Sequence, residues 1–284
     1  MELQALHTFK TVAQEGGILA ASRKLNTVQS NVTARIKRLE SELEVQLFHR
    51  QGRGITLSAA GRLLLEYSEK MLGLERQLVS AVRQTGESYG ELRLGVMESF
   101  AGTYLPSVLK EFQPKHPGLN LKIDSATSGE LLRLLISHQL DLVFVAGPID
   151  HPDLISQTLI DERLALVHKR GESWKKLPFI LFREGCAYRE RALEWRRENG
   201  DPTPEIMELG TLDGILGCVA VGLGCTLLPM SVVKASKFSG ELEIIEVEDH
   251  IANTPTVMVR HRDALPLTAF ENLRESVLHI SEQC

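Results

Sequence analysis

The sequence predicts an α + α/β protein in three parts: a small helical N-terminal domain closed by a hairpin, one long helix, and a two-lobed α/β C-terminal region. Three observations predict it. Apolar residues recur at helical spacing up to a short alternating segment around Ile55 and Leu57. A proline-free run with apolar positions alternating by four and three follows Ser58. From Glu91 onward, short apolar runs alternate with helical segments. The expected boundaries are 1–58, 59–88 and 89–284. Of the 284 residues 43% are hydrophobic and 24% charged, which suits packed cores and excludes wholesale disorder. No apolar run reaches the length of a membrane span, and MELQALHTFK lacks the layout of a secretory signal. Four cysteines in a chain of this length do not make a disulfide framework, so a reducing cytoplasm is the expected location.

Leu3, Leu6, Phe9, Val12 and Ala13 mark a first helix, which Gly16 and Gly17 end. Ile18, Ala21, Ser22 and Leu25 mark a second, short one. Asn26-Thr27 forms the turn, with Thr27 as the expected N-cap of a third helix. That helix carries Val28, Val32, Ile36, Leu39 and Leu43 on its inner face. Its outer face is centred on Ser30, Ala34 and Lys37, flanked by Asn31, Thr33 and Arg38, with Gln29 near the start. Short polar side chains let a helix approach base edges, basic ones at its margin reach phosphates, and a Gln amide can pair with adenine. In FHRQGRGITLS the glycines favour a tight connection and Ile55 and Leu57 alternate as a strand would. The pattern is that of a winged helix-turn-helix, with Arg50 and Arg53 on the wing positioned for the minor groove or for phosphate.

Charge distribution agrees. The whole chain has formal charge -5, yet residues 23–53 hold seven Lys/Arg against three Asp/Glu. A local basic patch suffices, because attraction to a duplex depends on charges near the phosphates.

Ser58 can cap the long helix, along which Ala60, Leu64, Tyr67, Met71, Leu74, Leu78 and Ala81 form the apolar stripe. Such a stripe is too narrow for a globular core and too regular to stay bare, so Leu64, Tyr67, Met71, Leu74 and Leu78 are expected to form a seam between two subunits. A homodimer would place two reading heads on one duplex, which suits an inverted-repeat site.

Beyond Glu91, ELRLGVM, NLKIDSA, DLVFVAG, LALVH, PFILF and EIMELG read as strands. Helices are expected near Leu105–Lys115, at LLRLLISHQ, at Tyr188–Asn199 and at Leu212–Gly222. The order predicts βα units with parallel strands in two lobes, and a ligand in the cleft between them. Ser99, Thr127 and Ser128 each follow a strand where a helix begins, so their hydroxyls could hold a carboxylate or another anion. Phe182, Cys186 and Thr211 are candidates for the opposing wall, while Arg189 fits a surface role on its charged helix better than a ligand clamp.

The run AASRKLNTVQSNVTARIKRLESELEVQLFHR followed by GRGITLSAAGRLLL resembles the LysR-type bacterial transcriptional regulators, through Ala21, Leu25, Gln29, Ser30, Val32, Ile36, Leu39, Glu40, Leu43, Leu47, Phe48 and Arg50, then Thr56, Ala60 and Gly61. SGELLRLLISHQLDLVFVAG and VAVGLGCTLLP extend the likeness across the chain. The resemblance implies a C-terminal domain like the periplasmic solute-binding proteins. It also implies a small-molecule effector of unknown identity that changes how the paired DNA-binding domains address a promoter. The implied assembly is a homodimer or homotetramer on double-stranded promoter DNA, with RNA polymerase as a further candidate partner and no membrane.

Neither catalysis nor a metal or cofactor is expected. There is no H-E-x-x-H, no G-x-S-x-G and no Walker loop, and GLGC at 222–225 suits close packing better than nucleotide binding. Cys218 and Cys225 lack neighbouring ligands, and Cys284 ends the chain. The alternative, a cytoplasmic solute-binding or assembly module without DNA output, leaves the polar helix face and the basic wing unexplained.

Overall fold

The computed structural model describes residues 1–51, 54–84, 90–264 and 267–282. The chain divides into two compact units, Met1–Val82 with Ser137–Gln139, and Arg83–Ile136 with Leu140–Cys284.

The first unit opens with α1 (Leu3–Glu15), α2 (Ile18–Lys24) and α3 (Gln29–Leu43). Phe9, Val12, Ala21, Val32, Ile36, Leu39 and Leu47 form its core. Helical spacing puts Val32, Ile36 and Leu39 inward, but Val28 and Leu43 at the ends of the same row are exposed, because the row outlasts the helices it packs against. The N-cap of α3 is Val28, without a side-chain bond. The expected cap, Thr27, instead accepts a bond from Asn31 Nδ2 at 3.2 Å. The Glu40 carboxylate accepts the Leu47 N–H at 2.8 Å, which fixes the turn into the hairpin of β1 (Phe48–Gln51) and β2 (Gly54–Leu57). These strands pair antiparallel, with Phe48 opposite Leu57 and Arg50 opposite Ile55. α4 (Ala59–Gln84) follows, capped by Ser58, whose Oγ accepts the Gly61 N–H at 2.9 Å and donates to the Gln46 carbonyl at 2.7 Å.

The second unit contains β3 (Glu91–Val96), α5 (Glu98–Thr103), α6 (Leu105–Phe112), β4 (Asn120–Ser125), α7 (Ser128–Ile136), β5 (Leu142–Ala146) and β6 (Leu154–Ile160). Next come β7 (Leu164–Lys169), β8 (Phe179–Leu181), α8 (Ala187–Glu198), β9 (Ile206–Glu208), α9 (Leu212–Ala220), β10 (Thr226–Pro229), α10 (Met230–Ala235) and β11 (Leu242–Glu246). α11 (Asp249–Ala252), β12 (Thr256–His261) and α12 (Thr268–Ser281) complete it. One sheet has the order β4-β3-β5-β12-β6 and the other β10-β7-β11. The pair β8-β9 joins the second sheet through a bridge between Phe179 and Cys225.

The expectation of parallel strands holds for β3 with β4 and β5 and for β8 with β9. It fails for β12, antiparallel to both β5 and β6, and for β7, antiparallel to β10 and β11. The cause is topological. After β6 the chain crosses to the second sheet, builds that lobe, and returns to insert β12 into the first sheet from the opposite direction. Arg163 and Asn253 bridge the two crossing segments antiparallel. β5 is buried at every position, as expected of an inner strand with both faces covered. Phe100, Phe144, Phe179, Trp195, Leu216 and Phe270 belong to one large core cluster.

Candidate recognition face and interlobe cleft

In the first unit, burial of Val32, Ile36 and Leu39 leaves the opposite face of α3 open. Gln29, Ser30, Asn31, Ala34, Lys37 and Arg38 are exposed there, with Thr33 half-buried beside them. Arg38 is tethered: its Nε lies 3.2 Å from Glu42 Oε1 and its Nη2 3.6 Å from Glu2 Oε1. The Met1 amine sits 3.0 Å from Glu42 Oε2; its hydrogen bond, reinforced by Arg38, holds the Glu42 carboxyl below the usual carboxylate range. Pairs this exposed are weak, so phosphate oxygens can displace them. Among the described residues Lys37 has no ion pair. Arg50 occupies its hairpin position opposite Ile55, while Arg53 lies outside the described residues. Arg62, in the first turn of α4, is an exposed cation that sequence reading passed over; its Nη1 donates to the Leu57 carbonyl at 3.1 Å.

Along α4, Tyr67, Met71, Leu74 and Leu78 are exposed and share a face with Leu63 and Val82. Leu64 departs from the expected seam: it packs against the N-terminal core beside Ala60 and Leu65. Where α4 leaves the domain, the inner face of its first turns closes that core. The outward stripe therefore begins one residue earlier, at Leu63.

In the second unit a cleft of about 460 Å³ brings together Ser99, Thr127, Ser128, Phe182, Cys186 and Thr211. The topology explains the convergence, because each residue follows the C-terminal end of a strand whose sheet forms one wall. Ser99 Oγ lies 3.1 Å from Tyr188 Oη. Tyr188 is buried, which pushes its hydroxyl well above the ordinary tyrosine range, and the charge of Glu162 adds to the shift. Ser128 Oγ accepts the Ala146 N–H at 3.3 Å, Thr127 Oγ1 accepts that of Glu130 at 3.4 Å, and Thr211 Oγ1 accepts that of Gly214 at 3.3 Å. With each oxygen already accepting, the three O–H groups remain donors. The same ends carry the first turns of α7, α8 and α9, where N–H groups and helix dipoles favour negative charge.

The walls meet where the Gly129 N–H donates to the Gly185 carbonyl at 3.0 Å. Gly185 has φ +83°, and a Cβ there would stand 3.0 Å from Thr127 Oγ1, so the residue suits the contact twice over. Arg189 is not a clamp: its Nη1 donates to the Phe182 carbonyl at 2.8 Å and to Glu208 at 3.0 Å. Arg183, which sequence reading missed, is exposed on the cleft lining and has no ion pair among the described residues. Glu130 on the rim is held below the usual carboxylate range by its bond from Arg133. Burial pushes the Cys186 thiol up despite the backbone N–H groups of Arg189 and Tyr188, the opposite of the lowered value a redox-active cysteine needs. Among the described residues no set of three His, Cys, Asp or Glu is arranged to hold a metal, and no helix is long and apolar enough to cross a membrane.

The family model described as bacterial regulatory helix-turn-helix protein, lysR family, matches residues 3–62, and that of the LysR substrate binding domain matches 85–280. The HTH-type transcriptional regulator GltR of Bacillus subtilis (strain 168) is 34% identical over 272 residues, covering 93% of this chain and 92% of that protein. The HTH-type transcriptional regulator SoxR of Arthrobacter sp. (strain TE1826) is 32% identical over 286 residues, covering 99% and 98%. The crystal structure of CbnR, a LysR family transcriptional regulator, superposes with a TM-score of 0.71 at 21% identity over 99% of each chain, a likeness of fold.

Proposed function

The chain belongs to the LysR family of bacterial helix-turn-helix regulators, and on that premise we propose that an acceptor-rich small molecule in its interlobe cleft sets how its paired reading heads engage a promoter. It is a DNA-binding transcriptional regulator with an effector-binding C-terminal domain, and in this proposal it acts as an oligomer. The observation that carries the finer reading is the set of cleft donors: three hydroxyls whose oxygens are engaged by backbone N–H groups, Thr127 and Ser128 on one wall and Thr211 on the other, where Arg183 has no ion pair among the described residues. A carboxylate or comparable anion satisfies such a set.

Gln29, Ser30, Asn31, Thr33 and Ala34 read the major groove in this proposal, and Lys37, Arg38, Arg50 and Arg53 bind phosphate or the minor groove. Two copies joined along α4 address an inverted-repeat promoter site, as a dimer or a dimer of dimers, in the cytoplasm and within reach of RNA polymerase. A ligand regulates only through unequal affinity for the alternative arrangements.

Genome-wide recovery of bound DNA, followed by footprinting, tests the DNA half. A protected site with two-fold symmetry is the expected result, and absence of protection on every recovered fragment would leave the solute-binding alternative standing. For Lys37→Ala the expected outcome is weaker binding to all sequences and a salt-dependence slope smaller by about one. An unchanged slope removes Lys37 from the phosphate contacts. Ser99→Ala is expected to weaken the response to added effector about fivefold while leaving effector-free DNA affinity within about twofold, since a cleft hydroxyl contributes on the order of 1 kcal/mol. Equal losses in both measurements would reject the role.

A further inference from the structure

Glu162 sits in the short segment between β6 and β7 where the chain first crosses from one lobe to the other, and it is 5% exposed. A carboxylate so placed is costly unless its oxygens are fully engaged. Here they are engaged from both lobes. Oε1 accepts from Tyr104 Oη at 3.3 Å and from Ser231 Oγ at 3.0 Å, and Oε2 accepts from Thr256 Oγ1 at 2.6 Å. Tyr104 and Thr256 belong to the first lobe, Thr256 being the first residue of the returning strand β12, while Ser231 lies on α10 of the second lobe. The backbone carbonyl of Glu162 also accepts the Thr254 N–H from the second crossing segment at 3.2 Å. One oxygen is thus shared by hydroxyls of the two lobes at the point about which they would turn.

A second connection leads to the cleft. Tyr104 is the C-cap of α5, and Ser99, in the first turn of the same helix, faces Tyr188 across the cleft. Phe100, between them, stacks on Phe144 at 4.6 Å and contacts the Tyr104 ring at 5.7 Å, so α5 is seated in the core as a short strut. A change in the cleft at Ser99 and a change at the crossing are therefore carried by one rigid element. We propose that Glu162 is the positioning residue that sets the angle between the lobes, and with it the opening of the effector cleft, by holding α5, α10 and β12 to a single carboxylate. The inference concerns the opening of the cleft and holds for whichever effector occupies it.

The full-length protein carries its own reporters. Cys186 lines the cleft, whereas Cys225 is fully buried in the second lobe and reacts only when that core opens. Iodoacetamide is the probe, and the extent of modification at each cysteine is read by peptide mass spectrometry. Glu162→Gln removes the charge at nearly constant shape. It is expected to speed modification of Cys186 about tenfold with Cys225 unchanged, the size expected from losing charge-assisted bonds at a site of local opening. Glu162→Asp keeps the charge and is expected to recover most of the protection. Ser231→Ala deletes only the second-lobe donor and is expected to act in the same direction by about threefold, which keeps the test decisive should the Gln variant fold poorly. Three results would each overturn the proposal: Cys225 accelerating in step with Cys186, Cys186 unchanged in both Glu162→Gln and Ser231→Ala, or an Asp variant that reacts as fast as the Gln variant.

Discussion

Leu74→Asp combined with Leu78→Asp is expected to yield a folded monomer whose affinity for a two-half-site duplex falls by about two orders of magnitude. On α4 the side chains of Leu63, Tyr67, Met71, Leu74, Leu78 and Val82 follow one another at intervals of four, four, three, four and four, which keeps them on one face. All six are exposed, Leu78 at 60% and Leu74 at 48%. Fully burying a leucine is worth roughly 1.5–3 kcal/mol, so a seam that contributes several from each copy can hold a dimer. An aspartate in the seam forfeits that gain and adds a charge that pairing would have to bury. Sedimentation velocity reads the subunit mass, and titration on a duplex with two half-sites against one with a single half-site reads the lost avidity. A variant that stays dimeric would place the interface elsewhere. Leu64 is the built-in control: it packs on the N-terminal core, so Leu64→Asp should lower the stability of the reading head rather than split the subunits.

Gly61→Val is expected to abolish DNA binding by loosening the N-terminal unit, at a cost of about 3 kcal/mol or more. A Cβ at Gly61 would overlap the Leu47 carbonyl oxygen and lie 3.0 Å from Leu57 Cδ2. That carbonyl cannot simply move away, because it accepts the Ser58 N–H at 2.9 Å, the bond that joins the end of the hairpin to the turn before it. The neighbouring Ser58 Oγ bonds cap α4 and hold the Gln46 carbonyl, so one added side chain strains the hairpin, the cap and the helix start together. Calorimetry should show a low-temperature transition absent from the parent protein, with the transition of the second unit unchanged. A single unaltered melt would mean that the backbone accommodates the overlap.

The exposed polar face of α3 was legible because the 3.6-residue period separates Val32, Ile36 and Leu39 from Ser30, Ala34 and Lys37 without help from any distant contact. The cleft residues were legible for a different reason: strand ends that run into helices are where ligands gather in α/β sheets, whatever the strand order. Leu64 was misplaced because the first turns of α4 pack on the N-terminal core while the apolar residues beyond them are exposed, and periodicity does not say where one setting gives way to the other. The antiparallel insertion of β12 and the terminal helix Thr268–Ser281 were not anticipated, since nothing local in TVMVRH states which strands it will join. Glu162 and Arg183 lie in charged stretches, DER and FREGC, that look like solvated loops; the setting of Glu162 depends on the distant Ser231 and Thr256, and that of Arg183 on the cleft it lines.

The double crossing of the chain has a consequence for biosynthesis. β6 has β12 as its neighbour in the sheet, so residues 154–160 emerge from the ribosome about a hundred residues before the strand that covers them. The intervening stretch, 164–246, contains every strand of the other sheet and can mature while β6 waits. The lobe that is synthesised first is thus completed last, and a nonsense codon even near residue 255 would release a finished second lobe attached to a sheet with an exposed apolar edge, a natural target for proteolysis and aggregation.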